Sequence, residues 1–370
     1  MLSNRDSDAG VDTDLLSRRS VRSRAPLRMS LAGGGTDVPP YSTDFGGAVL
    51  SATINRYAWC TISGSEEDEI TVRSLDLNAV ATFSSSTIPV FDGNLDLIKA
   101  VFRRLNVPHL GGLKVVLQTD APPGSGLGSS SALVVAVISG LSMFFGLELT
   151  PHEIARVAYV VERDDLGIAG GMQDQYSAAF GGFNFIEFHR DVEVLPIRLS
   201  TAMRREMESH FLLCFTGATR SSGGILERQI ANVATSRSET MDGLHGLKRL
   251  ALELRRALHS ENLSLAASLL DQGWEQKKAL TNGISNSHLD SIYAVAKSHG
   301  AMGGKLLGAG GGGYFLFLVE PELMESVAGA LEPLGVSISK GIEFCESGVV
   351  SWEVPRVRSA MPLAFAKGAN

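Results

Sequence analysis

The sequence contains few cysteines and no long hydrophobic run. Its three cysteines, Cys60, Cys214 and Cys345, lie far apart without the spacing of a metal site, so we expect reduced thiols in a cytoplasmic protein. The longest apolar stretch, Ala132 to Ile138, is too short to cross a bilayer. The first two dozen residues lack the apolar core of a signal peptide. No membrane partner is expected.

The sequence also lacks a basic block and the signatures of two hydrolase classes. The formal net charge is −7 and no long Lys/Arg run occurs, which argues against nucleic-acid binding. The eight histidines form no HExxH pair, and no GxSxG motif is present. A zinc protease and an α/β-hydrolase are therefore not expected, whereas a small anionic substrate, which needs only a local cationic cluster, remains possible.

The hydrophobic spacing predicts strands and helices that are mixed rather than strictly alternating. Short strands are expected from Ala25 to Phe83, and a helix from Asp96 to Leu105. Another helix is expected to begin at Thr150-Pro151, with Thr as N-cap. Two or three strands are expected between Gly182 and Phe215, then helices from Gly224 to His299. One more helix and a terminal strand pair complete the prediction, which favours an α+β fold.

Two domains are expected from the length of 370 residues. We expect residues 1–23 to form a disordered N-terminal arm. Residues 24–195 then form an N-terminal domain, and residues 196–370 form a C-terminal domain.

The strongest local signal is a glycine- and serine-rich segment between a predicted strand and a predicted helix. Residues 122–131 read PPGSGLGSSS. Glycines let backbone N–H groups approach an anion, and the N-terminus of the following helix attracts one. The segment lacks the lysine of a Walker A loop, and its glycine spacing is not that of a dinucleotide-binding loop. The alternative is a simple turn between a core strand and a core helix.

Two further glycine loops flank this segment along the chain. Residues 33–37 read GGGTD, and residues 308–313 read GAGGGG between apolar neighbours. In the first loop, Asp37 could accept hydrogen bonds from two sugar hydroxyls, although a tight turn capped by Asp37 explains the pattern equally well. The apolar flanks of residues 308–313, the third glycine loop along the chain after 33–37 and 122–131, place this loop against a core or a ligand rather than in a flexible linker.

In this order, the segments at residues 25–37, 122–132 and 305–313 resemble the three motifs of the GHMP kinases, which are named for galactokinase, homoserine kinase, mevalonate kinase and phosphomevalonate kinase. The resemblance covers the chain from about residue 24 onward. It implies an N-terminal domain like the second domain of ribosomal protein S5, a ferredoxin-like C-terminal domain, and the use of ATP and Mg²⁺. The partners would be ATP and a sugar phosphate, with a monomer and a homodimer both open.

Two segments look most like one branch of the family. Residues 32–41, AGGGTDVPPY, and 162–175, ERDDLGIAGGMQDQ, are similar to kinases that act on D-glycero-D-manno-heptose 7-phosphate and make its 1,7-bisphosphate for GDP-heptose and surface glycans. Galactokinases carry Glu-His where this chain has Gly34-Gly35, which argues against galactose. The alternatives are an L-fucokinase or another neutral-sugar C1 kinase, a sugar sensor that binds ATP without turnover, and a decarboxylase of isoprenoid synthesis.

The resemblance also implies roles for individual residues. Asp174 matches the catalytic aspartate, and Arg28 matches the basic residue that faces the transferred phosphoryl group. Ser130 and Glu162 match the Mg²⁺ ligands, although the spacing from Glu162 to Asp174 is one residue longer than in mevalonate kinases. Without the family, Asp174 reads as a helix cap and Arg28 as half of a structural ion pair.

The remaining predicted site residues fall into two groups. Those expected to bind ATP are Pro123, Gly124, Ser125, Gly126, Leu127, Gly128, Ser129, Ser130 and Ser131. Those expected to bind the sugar are Gly34, Gly35, Thr36, Asp37, Gly171, Asp174 and Gly311. Arg220 precedes a predicted helix and is the candidate for a distal phosphate, with a surface arginine as the alternative.

Overall fold

The computed structural model describes residues 17–106, 112–219 and 223–355. Within these ranges the chain forms two β-sheets with helices packed against them. This arrangement confirms the predicted α+β class. None of the helices in this part of the chain is long and apolar enough to span a bilayer.

The first sheet is eight-stranded within the described residues, and all of its strands except the last one along the chain lie before residue 197. Its strands are β1 (Ser20–Ala32), β2 (Gly47–Ser65), β3 (Glu69–Ser74), β4 (Ala79–Ser84), β5 (Gly112–Thr119), β6 (Phe183–Phe188), β7 (Val192–Pro196) and β12 (Val350–Glu353). The main path runs β12-β1-β2-β5-β3-β4, and β6 pairs with both β2 and β7. Only the β3–β5 pair is parallel.

The second sheet is four-stranded and antiparallel within the described residues. Its strands are β8 (Phe211–Phe215), β9 (Ala301–Leu306), β10 (Tyr314–Val319) and β11 (Ser337–Ser339), in the order β11-β8-β10-β9. The central strand β10 is buried along its whole length, with Phe315 and Phe317 next to Trp274 and Tyr293. These aromatic side chains form the core on one face of this sheet.

The helices, in chain order, are α1 (Tyr41–Phe45), α2 (Asp96–Leu105), α3 (Ser129–Phe145), α4 (Pro151–Val160), α5 (Gln173–Phe180), α6 (Thr201–His210), α7 (Gly223–Ala234), α8 (Ser238–His259), α9 (Leu263–Leu280), α10 (Ser287–Ser298) and α11 (Met324–Leu331). Helices α8 and α9 pack against each other and connect the sheets, since α8 contacts β1 and β2 whereas α9 contacts β9.

Helix α3 is the centre of the larger core. It is apolar on nearly all sides and packs against β1, β2 and β12. Val134, Val135, Val137 and Leu141 are fully buried there. Since each buried Val or Leu side chain contributes roughly 1.5–3 kcal/mol of transfer free energy, this packing fixes the helix and the loop that precedes it.

Two predicted helix positions are confirmed, and one helix was missed. The helix at Asp96–Leu105 is present, and Thr150 forms a capping box with Glu153 ahead of Pro151. Between Gly182 and Phe215, however, helix α6 separates β7 from β8. The predicted strands are present there as β6, β7 and β8, but the helix was missed: Ser200 caps it, and it buries only Met203, Met207 and His210 before the chain enters β8 directly.

The ends of the chain depart from the predicted boundaries. Strand β1 begins at Ser20, so the arm predicted for residues 1–23 is at least four residues shorter; residues 1–16 lie outside the described ranges. The predicted terminal strand pair is wrong, because β11 pairs with β8 while β12 pairs with β1. The domain division at residues 195 and 196 stays a prediction, and β12 departs from it by joining the first sheet.

Candidate active site

A cavity of about 260 Å³ opens where the three glycine loops meet. Strand β1, helix α2, helix α5, the segment after α4 and helices α7 and α9 also contribute to its wall. The predicted residues that line it are Arg28, Gly34, Gly35, Asp37, Gly124, Gly126, Gly128, Ser129, Ser130, Ser131, Glu162, Gly171 and Asp174. Residues from distant parts of the sequence thus share one site.

Five other predicted residues do not line the cavity, namely Pro123, Ser125, Leu127, Thr36 and Gly311. Arg220, the candidate for a distal phosphate, lies outside the described residues. Thr36 is fully buried, and its hydroxyl donates to the carbonyl of Gly33 at 2.8 Å and accepts from the N–H of Ala48 at 3.0 Å. Thr36 therefore closes the first glycine loop from behind instead of facing a ligand.

The second and third glycine loops touch each other through their backbones. A Cβ atom placed on Gly126 would lie 2.6 Å from the carbonyl oxygen of Leu307, and one on Gly308 would lie 2.4 Å from the Cα of Gly126. The N–H of Tyr314 also donates to the carbonyl of Ser125 at 3.0 Å. Only glycine allows this approach, so the loops from the two sheets form one wall.

Arg28 and Asp174 form an ion pair at this wall. The Arg28 guanidinium donates through Nε to Asp174 Oδ1 at 2.8 Å, and its second terminal nitrogen lies 2.6 Å from the same oxygen. The other terminal nitrogen donates to the carbonyl of Gly126 at 2.5 Å. Arg28 is 4% exposed on strand β1, and Asp174 stands in the first turn of α5. The helix N-terminus and the guanidinium therefore both bring positive charge close to the Asp174 side chain.

Glu162 lies in a five-residue π-helical segment, Val161–Asp165, which continues α4. Its Oε2 accepts from Ser131 Oγ at 3.0 Å and from Gln175 Nε2 at 2.8 Å, and lies 3.0 Å from a guanidinium nitrogen of Arg163. Its Oε1 is buried and has no hydrogen-bond partner in the protein. Burial raises the pKa of Glu162, while Arg163 and Ser131 lower it. A buried carboxylate oxygen without a donor fits a cation ligand.

The two predicted metal ligands, Ser130 and Glu162, are not hydrogen-bonded to each other. Ser131, rather than Ser130, bonds to Glu162, whereas the exposed Ser130 presents its side chain at the cavity. No cluster of three or more His, Cys, Asp or Glu side chains suited to a metal occurs in the described part of the chain. A cation held by Glu162 would therefore depend on a hydroxyl and on oxygens from outside the protein.

Asp37 is buried and is engaged mainly by the protein. Its Oδ1 accepts from the N–H of Gly35 at 3.1 Å and from Gln173 Nε2 at 3.2 Å, while its Oδ2 accepts from the N–H of Gln173 at 3.1 Å. Burial raises its pKa, the Gln173 hydrogen bond lowers it, and the charge of Asp174 raises it. Asp37 thus holds the first glycine loop to α5 and has little capacity left for two sugar hydroxyls.

Four polar residues at the cavity were not predicted, namely Arg163, Gln173, Gln229 and Lys277. Gln229 of α7 donates from Nε2 to the carbonyl of Gly35 at 2.9 Å. Lys277 of α9 lines the cavity although its side chain is almost entirely buried. A signal for Lys277 existed, because it follows Leu270 and Trp274 at helical spacing and so falls on the apolar face of its helix.

Sequence models of two domains match the chain. The model of the GHMP kinases N terminal domain matches residues 95–182, and that of the GHMP kinases C terminal matches residues 254–333. A D-glycero-alpha-D-manno-heptose 7-phosphate kinase from Campylobacter jejuni is 37% identical over 91% of this chain and 100% of its own length. The chain is a GHMP kinase.

Other relatives are also sugar kinases, and one of them is named for a different sugar, L-fucose. A Bacteroides fragilis L-fucokinase/L-fucose-1-P guanylyltransferase is 30% identical over 88% of this chain but only 37% of its own length. A crystal structure of a D-glycero-D-manno-heptose 1-phosphate kinase from Bacteroides thetaiotaomicron is 35% identical, covers 91% of this chain and all of its own, and has a TM-score of 0.77. This GHMP kinase is therefore a phosphotransferase that takes ATP and a small-molecule alcohol.

Proposed function

We propose that this enzyme transfers the terminal phosphoryl group of ATP to the anomeric hydroxyl of D-glycero-D-manno-heptose 7-phosphate, giving the 1,7-bisphosphate. The observation that carries the chemistry is the Arg28–Asp174 pair at the wall of the cavity, beside the serine-rich loop. The sugar is supported by the 37% identity to the Campylobacter jejuni kinase along its full length.

Asp174 is the proposed acceptor of the proton from the attacking hydroxyl. As that oxygen bonds to phosphorus, the bond from phosphorus to the ADP oxygen breaks, and the hydroxyl proton passes to the Asp174 carboxylate. Arg28 orients this carboxylate through the contacts at 2.8 Å and 2.6 Å. Its guanidinium also faces the equatorial oxygens of the phosphoryl group, where negative charge has to be stabilised.

The loop at residues 122–131 is the proposed phosphate site. Gly126, Gly128 and Ser129 line the cavity at the start of α3, where the first N–H groups of the helix lack intrahelical partners. An anion there would accept these donors and meet the positive end of the helix dipole. The first glycine loop and Gly171 line the cavity next to Asp174 and are the proposed sugar side.

Ser130 and Glu162 are the proposed residues that hold Mg²⁺. The unpartnered Oε1 of Glu162 and the exposed hydroxyl of Ser130 are both oxygen donors at the cavity, as this ion requires. When bound with ATP, Mg²⁺ neutralises charge on the phosphate oxygens. Ser131 and Gln175 fix the glutamate through its other oxygen, so that Oε1 stays directed away from them.

The decisive experiment measures ATP consumption with a panel of free sugars, heptose 7-phosphate and mevalonate, with phosphorus NMR of each product. We expect turnover with heptose 7-phosphate and a new anomeric phosphate signal. Turnover with L-fucose alone would replace the substrate and favour the function of the Bacteroides fragilis relative. Absence of turnover across the panel would contradict the proposal.

A further inference from the structure

Lys277 is a buried cation that the roles proposed so far leave unused. It lies in the last turn of α9, is 7% exposed, and forms part of the cavity wall. Its neighbour Lys278 lies at the surface and pairs with Glu275 at 2.8 Å. The two adjacent lysines therefore differ in environment, and only Lys277 reaches the cavity.

The Lys277 ammonium lacks a charged partner. Its hydrogen-bond acceptor is the carbonyl oxygen of Gly308. No Asp or Glu carboxylate of the described residues forms an ion pair with it. An ammonium group has three donors, and burying it without a counter-ion is costly. Since the group borders an open cavity, the missing negative charge can come from a ligand.

Lys277 lies close to the part of the cavity where phosphoryl transfer is proposed to take place. Gly308, whose carbonyl accepts the hydrogen bond of Lys277, packs against Gly126, and the carbonyl of Gly126 accepts a hydrogen bond from Arg28. Arg28 in turn pairs with Asp174. The Lys277 side chain from helix α9 and the Arg28 side chain from strand β1 thus reach the same glycine contact. An anion between them would lie beside the carboxylate that accepts the proton of the sugar.

We propose that Lys277 binds the terminal phosphoryl group of ATP, as a second cation that acts with Arg28 on the group being transferred. This inference rests on the proposed function of the site as a phosphoryl-transfer centre. Lys277 is then a catalytic residue, because its ammonium touches the reacting group. Two of the three guanidinium nitrogens of Arg28 already contact Asp174, so a further donor is needed for the oxygens of the phosphoryl group.

The first test compares the binding of ATP and ADP to the full chain in the presence of Mg²⁺. Lys277→Met keeps the length and apolar stem of the side chain and suits a buried position. We expect roughly a tenfold to hundredfold loss of ATP affinity with ADP affinity unchanged, the loss typical of a hydrogen bond to a charged group. Lys278→Met is the matched control and should bind both nucleotides as the wild type does.

Two outcomes of this comparison would overturn the proposal, namely equal losses for ATP and ADP and no loss for either nucleotide. In steady-state kinetics of Lys277→Met, a rise confined to the KM for the sugar phosphate would overturn it as well. The last outcome would assign Lys277 to the phosphate of the sugar. Because nucleotide binding is measured without sugar, the result stands even if heptose 7-phosphate fails as the substrate.

A pH profile provides the second test. Burial and the charge of Arg28 lower the pKa of Lys277 to about 8, whereas Asp37 raises it, and Lys305 is a further cation nearby. Above this pH the free enzyme loses the ammonium proton, so the preference for ATP over ADP should fall as pH rises from 7 to 9. Lys277→Arg, which stays charged, should keep its preference over this range. Parallel profiles for the two proteins would refute the assignment.

Discussion

Asp174 and Arg28 come from elements 146 residues apart and meet through a 2.8 Å hydrogen bond. Replacing Asp174 by Asn keeps the size of the side chain but removes the proton acceptor and the charge that Arg28 balances. We expect Asp174→Asn to fold and bind ATP, with kcat reduced roughly 10²- to 10⁴-fold. Initial-rate kinetics and ATP titration measure the two properties separately.

The control for this variant is Asp242→Asn. Asp242 is an exposed residue of α8, away from the cavity, so the same chemical change should leave kcat as it is. Retained turnover in Asp174→Asn would contradict the central role given to this carboxylate.

Glu162 offers a test of the metal site. Glu162→Gln replaces the charged, unpartnered oxygen by a neutral one, and Ser131 and Gln175 remain beside it. The Mg²⁺ concentration for half-maximal activity should rise by roughly tenfold or more, since even residues around a metal ligand commonly affect affinity on the order of tenfold. Activity titrated with Mg²⁺ gives this value directly.

Glu66→Gln is the control, because it makes the same chemical change at an exposed turn. It should leave the Mg²⁺ concentration for half-maximal activity unaltered. An unaltered curve for Glu162→Gln as well would remove Glu162 from the metal site.

The motifs predicted which residues would lie together, and the structure brings most of them to one cavity, whereas their roles stay predictions. The glycines, Arg28 and Asp174 could be placed at one cavity because their motifs are read locally. Lys277 could not be distinguished from Lys278 by charge, since only the rotation of α9 decides which lysine points inward. Asp37 was predicted to accept hydrogen bonds from two sugar hydroxyls. Its hydrogen bonds to Gln173 could not be foreseen, because the two residues are 136 positions apart in the sequence.

At the level of elements, the contact between the second and third glycine loops places the phosphate site. Gly126 has a positive φ of 85°, and a Cβ there would lie 2.6 Å from a backbone oxygen, so Gly126→Ala has to push residue 307 away. We expect this variant to lose stability and to bind ATP less tightly. Denaturant unfolding and ATP titration check both expectations.

Gly146→Ala is the control at the other end of helix α3. Gly146 has a φ of 67°, but a Cβ there meets no atom within 4 Å. It should therefore lose only the roughly 1–2 kcal/mol cost of a left-handed alanine and keep its ATP affinity. Equal ATP affinities for the two variants would contradict the importance of the loop contact.

Helices and strands whose ends are marked by nearby residues in the sequence were predicted. Those whose ends depend on contacts with distant parts of the chain were not. The capping box at Thr150 and Glu153 identifies the start of α4 from four residues. Helix α6 has no comparable break at its end, because Phe211 is at once its C-cap and the first residue of β8. The extra residue between Glu162 and Asp174 lies in a stretch that contains the π-helix, a form that accommodates one additional residue in a helix.

On the scale of the whole molecule, hydrogen bonds from Lys305 connect the two sheets. From β9 its ammonium donates to the carbonyls of Ser30 at 2.8 Å and Leu31 at 3.2 Å in β1. Burial, followed by the charges of Lys277 and Arg28, lowers the pKa of Lys305 well below its ordinary value of 10.5. At pH values between the folded and unfolded pKa, the unfolded chain binds a proton that the folded protein does not, so rising pH favours folding there.

The free energy of unfolding of the wild type, relative to Lys305→Met, should therefore increase as pH rises toward 10. The slope should be at most about 1.4 kcal/mol per pH unit. Urea unfolding at a series of pH values measures it. The exposed Lys340→Met is the control and should show no such slope. A pH-independent difference for Lys305→Met would contradict the shifted pKa.

The pairing of β12 with β1 has a consequence for biosynthesis. Val21 pairs with Glu353, so roughly 330 residues are translated before the outer edge of β1 obtains its partner. At about 5–20 residues per second, the ribosome needs on the order of 15–70 seconds for this. During that time the growing chain carries an open strand edge, to which another nascent chain can add. We expect chaperones that bind emerging polypeptides to increase the yield of this protein, and to act until its last strand has left the ribosome.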